Sequence, residues 1–234
     1  MGTVFESGAR ALVTGGTSGI GQAIAQALRD AGCRVTVAGL DAAGTHPDAR
    51  TLDVSDDSAV RALAASFDRL DVLVNSAGMI LRGGAEFDPA GFAKVVDVNL
   101  TGTLRVSTAC RPLLAASRGC ILNIASMLSF FGSGQAPAYS ASKGGVAQLT
   151  KSLALAWADQ GIRVNAVAPG WIATDFTRPL QEDEARSRAI LDRTPLKRWG
   201  RPEDVAGAAL FLCSPAAAFI TGAILAVDGG YSAA

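Results

Sequence analysis

Tyr139 and Lys143 stand four residues apart in the run Tyr139-Ser-Ala-Ser-Lys143, a spacing that puts both side chains on one face of a helix. A phenol beside an ammonium can move a proton. The free phenol titrates near about pH 10, and lowering it by roughly 3 units takes about 4 kcal/mol of preferential phenolate stabilisation. Neighbouring positive charge acts with the right sign. Taken alone, such a pair is more often a solvated helix face than a site. Ser126 changes the weighting, because it closes the β-prone run Ile121-Leu-Asn-Ile-Ala125, and a hydroxyl there could hold a substrate oxygen against the tyrosine. The chemistry such a set could do is proton transfer at a substrate oxygen, as donor in one direction and base in the other, which is what hydride transfer at a carbonyl carbon would require. The sole histidine, His46, lies in a Gly/Pro-containing loop far from these residues in sequence and reads as a surface residue, so a histidine mechanism is not expected.

A second constellation is Thr14-Gly-Gly-Thr-Ser-Gly-Ile-Gly21, directly after a β-prone run and opening a helical one. Glycines there let the backbone turn tightly and approach a pyrophosphate, whose charge the helix N-terminus stabilises. The spacing Gly15-xxx-Gly19-x-Gly21 differs from GxGxxG.

The elements that must carry these residues alternate from end to end. Strands are expected at Arg10–Thr14, Val35–Ala38, Thr51–Asp53, Val72–Asn75, Ile121–Ala125, Arg163–Val167 and Ala223–Val227. Helices are expected near Ile20–Ala31, ended by Gly32, near Asp56–Phe67 with Ser55 as N-cap, and at Pro89–Val98, Gly102–Ser117 and Tyr139–Asp159. Ile20, Ala23, Ile24, Ala27 and Leu28 repeat at the period of one buried helical face. A βαβα order implies an α/β fold, a doubly wound parallel sheet with helices on both faces. The segment 171–200 is richer in charge, contains Pro179 and Pro195, and interrupts the alternation; it reads as a mobile cover over a site.

The glycine turn resembles the TGxxxGxG turn of the short-chain dehydrogenase/reductase family. Asp53-Val54, Asn75-Ser-Ala-Gly78, Asn99, Ser126, Tyr139-Ser-Ala-Ser-Lys143, Pro169-Gly170 and Asp228-Gly-Gly230 follow in that family's order. The resemblance implies one Rossmann-like domain over 1–234 with about seven strands, and a catalytic set of Asn99, Ser126, Tyr139 and Lys143. It implies a nicotinamide dinucleotide contacted by Gly15, Thr17, Ser18, Gly19, Ile20, Gly21, Asn75, Ala77, Gly78, Pro169, Gly170, Ile172 and Thr174. Asp53 would bond the adenine amino group with Val54 against the ring, Lys143 the nicotinamide ribose, and Thr174 the carboxamide; Asn99 would anchor a water linking Lys143 to solvent. Each has a plainer alternative: a turn or cap for Asp53, a helix cap or kink for Asn99, an unassigned cover residue for Thr174. Ser76 departs from the more usual NNAG. Gly39 occupies the place where NAD-preferring members carry Asp, while Ser18 and Leu40 stand where NADP-preferring members carry basic residues. With Asp41 two residues on as selector, NAD is favoured over NADP. A homo-oligomer, commonly a tetramer, is also implied, and a cytoplasmic location is expected.

Composition narrows the rest. The 234 residues carry 21 acidic and 21 basic side chains, so neither nucleic acid nor an anionic membrane is an expected partner. Cys33, Cys110, Cys120 and Cys213 lack metal-ligand spacing, and unpaired thiols in a reducing compartment are expected, without a metal. The start, Met1–Ser7, shows no secretory pattern. Val205 to Val227 is uncharged but broken by Ser214-Pro215 and Thr221-Gly222, so a buried helix–turn–strand is expected rather than a membrane span. Met79, Ile80, Met127, Leu128, Phe130, Phe131, Trp171 and Phe176 could line an apolar cavity for a carbocyclic, aromatic or medium-chain secondary alcohol or ketone, or be core or subunit contacts. Competing readings are a 3-oxoacyl-thioester reductase using NADPH, a polyol or sugar-acid dehydrogenase, and an NAD(P)-binding sensor without turnover.

Overall fold

Strand residues buried on both faces need helices on both sides, and most of the chain's strands are followed by one or more helices that supply them. The computed structural model describes residues 5, 6, 8–42 and 48–233; His46 lies outside them. The first half runs β1 (Arg10–Thr14), α1 (Gly19–Asp30), β2 (Arg34–Gly39), β3 (Ala49–Thr51), α2 (Asp57–Ala65), β4 (Val72–Asn75), α3 (Pro89–Val96) and α4 (Gly102–Ser117). There follow β5 (Cys120–Ile124), α5 (Pro137–Ala156), β6 (Arg163–Pro169), the short α6 (Arg178–Gln181), α7 (Glu184–Arg193), α8 (Pro202–Cys213) and β7 (Ile224–Val227). The strands form one seven-stranded sheet in the order β3-β2-β1-β4-β5-β6-β7. Each pairing is parallel.

The pleat divides the core. Val13, Val35, Val74 and Leu122 face Ile24 and Leu28 of α1 and Val205 and Leu212 of α8. Their neighbours Leu12, Leu73 and Ile121 turn the other way, against Val60 of α2, Val106 and Leu114 of α4, and Leu153 of α5. Strand order reverses between β1 and β4, so the crossovers leave on opposite faces there and open a crevice beyond the carboxyl ends of both strands. The doubly wound fold expected from the sequence is present.

Boundaries differ where caps compete. Asp56, not Ser55, caps α2: its Oδ1 accepts from Ser58 N at 2.9 Å and Ala59 N at 3.0 Å. The Ser55 hydroxyl is spent on Asp53 Oδ1 at 2.6 Å. A carboxylate accepts more strongly than a hydroxyl, which leaves Ser55 the donor. The two helices expected on either side of Asn99 are one rod, joined through a π-helical turn over Asp97–Thr101. α5 begins two residues before Tyr139, with Pro137 in the first turn where a missing N–H costs nothing. The uncharged stretch 205–227 forms the end of α8, a turn and β7, and no helix among the described residues is long and apolar enough to cross a membrane. All four cysteines are free and buried.

Candidate active site

Four loops meet at the reversal point. β1 runs into the glycine turn, β4 into Ser76–Gly78, β5 into Ser126, and β6 into Gly170. Between them lies a crevice of about 360 Å³ lined by Gly15, Ser18, Gly19, Ile20, Gly21, Ser76, Gly78, Ser126, Tyr139, Lys143, Pro169, Gly170, Ile172 and Thr174, among others.

On the β1 side the backbone itself forms the wall. Gly15 and Gly19 have φ of +64° and +52°, and a Cβ on Gly21 would stand 2.1 Å from Gly15 O, so larger residues would be strained or excluded. Ser18 at the N-cap of α1 makes no side-chain cap and the first turn holds no acid. The free N–H groups and dipole at this end suit an anion. These features fit the pyrophosphate of a dinucleotide. Thr17 lies under β2, where a Cβ on Gly39 would come within 3.2 Å of its Oγ1.

On the β5 side polar side chains do the positioning. Ser126 is nearly buried at the end of β5 in extended conformation, and its Oγ accepts from Leu128 N at 3.1 Å. Ser129 ties this turn to the facing helix, donating from Oγ to Lys143 O at 2.6 Å and accepting from Ser126 N at 3.3 Å. Lys143 is 5% exposed and donates from Nζ to Ile124 O at 2.6 Å, and Nζ lies 5.6 Å from the centroid of the Tyr139 ring. Asn99 sits in the π-helical turn. Its Oδ1 accepts from Met79 N at 2.8 Å, and its Nδ2 donates to Met79 O and to Ser142 Oγ at 2.9 and 3.0 Å. π-turns recur at functional sites because the extra residue re-aims a side chain.

Burial sets the electrostatics of the pair in the protein by itself. Burial pushes the Tyr139 phenol up to about 12, opposed by a hydrogen bond with Ser126 and reinforced by Glu86. Burial also pulls Lys143 down to about 8. In the protein by itself desolvation dominates the phenol; the acidification expected from the sequence also calls on the positive charge of an oxidised nicotinamide.

Other residues singled out from the sequence fall elsewhere. Asn75 turns its amide into the core, donating from Nδ2 to Ser107 Oγ and Asn123 Oδ1, each at 2.9 Å. Ala77 packs against the α4 side of the core. Asp53 and Val54 follow β3 outside the crevice lining; hydrogen bonds from Ser55 hold the Asp53 carboxyl below its ordinary range, and Val54 O accepts from Arg105 Nη1 at 2.7 Å. Asp41 is exposed beyond β2. Of the apolar candidates, Ile80, Met127, Leu128, Trp171 and Phe176 line the crevice, whereas Phe131 packs on Tyr231 with ring centroids 6.0 Å apart and Phe130 is about half exposed.

The sequence reading missed Arg82, Glu86, Ser129 and Ser142. Arg82 reaches across the crevice mouth and donates from Nη2 to Phe176 O at 2.5 Å, while the Phe176 ring lies 6.0 Å from that of Tyr139. Only the Gly83-Gly84 pair before Glu86 hinted that the loop after β4 turns back sharply.

Comparison with known proteins matches this arrangement. A family model described as Enoyl-(Acyl carrier protein) reductase covers residues 15–232. The 2-dehydro-3-deoxy-D-gluconate 5-dehydrogenase of Bacillus subtilis is 44% identical over 96% of this chain and 94% of its own. The galactitol 2-dehydrogenase (L-tagatose-forming) of Cereibacter sphaeroides is 42% identical over 98% of each. Among solved structures, a gluconate 5-dehydrogenase from Burkholderia cenocepacia in complex with NADP and tartrate superposes with a TM-score of 0.92 at 34% identity, over 99% of this chain and 98% of that one.

Proposed function

The chain belongs to the short-chain dehydrogenase/reductase family and is an oxidoreductase acting on CH–OH groups, and from that premise we propose that it interconverts a secondary hydroxyl of a sugar acid and the corresponding ketone, with NADP as cofactor. The observation that carries the reading is that Ser126, Tyr139 and Lys143 open onto the crevice that the glycine turn also walls. Gly15, Thr17, Ser18, Gly19, Ile20 and Gly21 would hold the pyrophosphate, with Gly78, Pro169, Gly170, Ile172 and Thr174 along the nicotinamide half. A bound oxidised dinucleotide supplies the hydride acceptor and a positive charge.

The rest falls to the chain's own residues. Ser126 Oγ donates to the substrate oxygen and holds it near Tyr139. In oxidation the Tyr139 oxygen takes the hydroxyl proton; in reduction it returns it. Lys143 and the cofactor's charge together bring the phenol down from about 12 towards the working range. Asn99 fixes the loop that carries Met79 beside them.

Besides the buried Lys143, the charged side chains lining the crevice among the described residues are Arg82 and Asp175. Asp175 is paired with Arg178, which leaves the Arg82 guanidinium suited to a substrate carboxylate. That supports a sugar acid over a neutral polyol, in keeping with the Bacillus relative. For the cofactor, Gly39 offers no side chain against a ribose 2′-phosphate, and the Burkholderia neighbour carries NADP; the alternative of NAD rests on Asp41. Residues 171–200 act as the cover. The exposed Phe211, Phe219 and Leu225 suit subunit contacts in a homo-oligomer, and four buried thiols suit a reducing cytoplasm.

Initial rates on 2-dehydro-3-deoxy-D-gluconate, gluconate, galactitol and a 3-oxoacyl thioester, each with both cofactors, test the proposal. A sugar acid with NADP(H) should give the highest kcat/KM. A higher value on the thioester would replace this reading with the acyl reductase one, and a preference for NAD would return Asp41 to the selector role.

A further inference from the structure

We propose that Glu86 is a positioning residue, a carboxylate that caps the catalytic helix α5 from a distant loop and so fixes where Tyr139 stands; this rests on the role given to Tyr139 above.

Glu86 is 1% exposed, yet carries a carboxyl group. Its Oε2 accepts from Tyr139 N at 3.0 Å and its Oε1 from Leu81 N at 3.0 Å. Both oxygens are thus spent on backbone N–H groups, one on each wall of the crevice. α5 needs the help. Its N-cap is Ala136, which has no side chain able to accept, and Pro137 opens the helix. A hydroxyl at the N-cap would ordinarily take the third N–H of the helix. Here that N–H belongs to Tyr139, and a side chain 53 residues away takes it. A carboxylate at this end also opposes the positive pole of the helix dipole.

The loop is built to deliver the group. Gly83 and Gly84 have φ of +66° and +83°, and a Cβ on either would meet nothing within 4 Å. Space therefore does not require glycine at either position; the backbone conformation does. The two consecutive left-handed residues reverse the chain so that Glu86 points inward, while Phe87 next to it is 66% exposed. On the same loop Met79 is held by Asn99, which also bonds Ser142. The loop after β4 is therefore tied to α5 at two points, directly at Tyr139 and, through Asn99, at Ser142.

The charge has a second effect. Glu86 raises the Tyr139 phenol. The other charged groups near the phenol are Lys143 on α5 and Arg82 and Asp175 at the mouth. On α3, packed against the Glu86 turn, Asp88 is spent capping Ala90 N and Gly91 N, and Lys94 is exposed.

Two variants test the proposal, with amide hydrogen exchange at Tyr139 N–H read beside kinetics. In Glu86→Ala, protection at Tyr139 N–H should fall and kcat should drop roughly 10- to 100-fold with NADPH affinity nearly unchanged. Glu86→Gln removes the charge and keeps one acceptor oxygen, enough for Tyr139 N, while its NH2 faces Leu81 N and gives up that second bond. It should regain protection and much of kcat, and its acidic limb for alcohol oxidation should move down by about half a pH unit, since the base form of a less elevated phenol appears earlier. Normal protection and kcat in Glu86→Ala would overturn the proposal. So would a loss of kcat matched by an equal loss of NADPH binding, or one whose limb stays in place in Glu86→Gln, because Glu86 would then only stabilise the fold. If Glu86→Ala does not fold, Glu86→Gln carries both readouts. Exchange at Tyr139 reports on the contact even if the role given to Tyr139 is wrong, so the two failures are distinguishable.

Discussion

The two sides of the crevice are held by different means. The inner wall of Asn99, Ser126 and Lys143 is buried, and its polar atoms bond to backbone groups fixed by the sheet and by α5. The outer side, from Trp171 to Gly200, carries surface ion pairs such as Arg186–Asp183 and Arg188–Glu184. It is tied to the rest of the molecule by bonds and ring contacts, among them Leu196 N to Gly229 O at 3.1 Å, Arg198 to Asp204, Trp171 against Tyr231, and Arg82 on Phe176 O. Exposed ion pairs contribute little, whereas a buried bonded network resists displacement because each broken bond strands a polar group. On the reading proposed above, the proton chemistry falls on the bonded wall and substrate recognition on the side held by exposed pairs.

The largest effect should come from the inner wall. Tyr139→Phe should lower kcat by about 10²- to 10⁴-fold while leaving NADPH binding intact, as measured by fluorescence titration; near-normal turnover would remove the tyrosine from its role. Next is a pH effect on stability. Lys143 has its folded pKa depressed from 10.5 to about 8, so between about pH 8 and 10 the unfolded chain binds more protons and stability should rise with pH, by at most about 1.4 kcal/mol per unit. Above about pH 10 the elevated Tyr139 acts in the opposite sense, since the folded chain then keeps a proton that the unfolded one loses. Urea denaturation of cofactor-free protein at pH 8 and 10 would detect the gain, and Lys143→Met should lack it.

The outer side should respond in KM. Arg82→Leu should raise KM for a sugar acid about tenfold and for galactitol much less, since only the first offers a carboxylate to the guanidinium. Equal changes would make Arg82 a support for Phe176 alone. Smallest of all, Glu184→Gln should shift stability by under about 0.5 kcal/mol and leave kcat unchanged, by thermal melt and initial rates; a larger change would show the cover to be coupled to the wall.

Much of the molecule was readable from residues in order. The alternation of β-prone and helical runs gave the doubly wound sheet, because a residue's face in a strand or helix is set by its own position in the repeat. Glycine marked the turn after β1, since its backbone freedom is a property of the residue itself. The four-residue spacing of Tyr139 and Lys143 put them together on α5. What the chain order could not contain was the company these residues keep. Glu86 and Tyr139 meet only because α5 packs on the turn after β4. Arg82 reaches Phe176 across 94 positions of sequence, and the phenol stands near 12 rather than below 10 because other elements strip water from it. Periodicity and backbone freedom are local and travel with the sequence; desolvation and long-range hydrogen bonds depend on which surfaces are pressed together, and only the packed fold decides that.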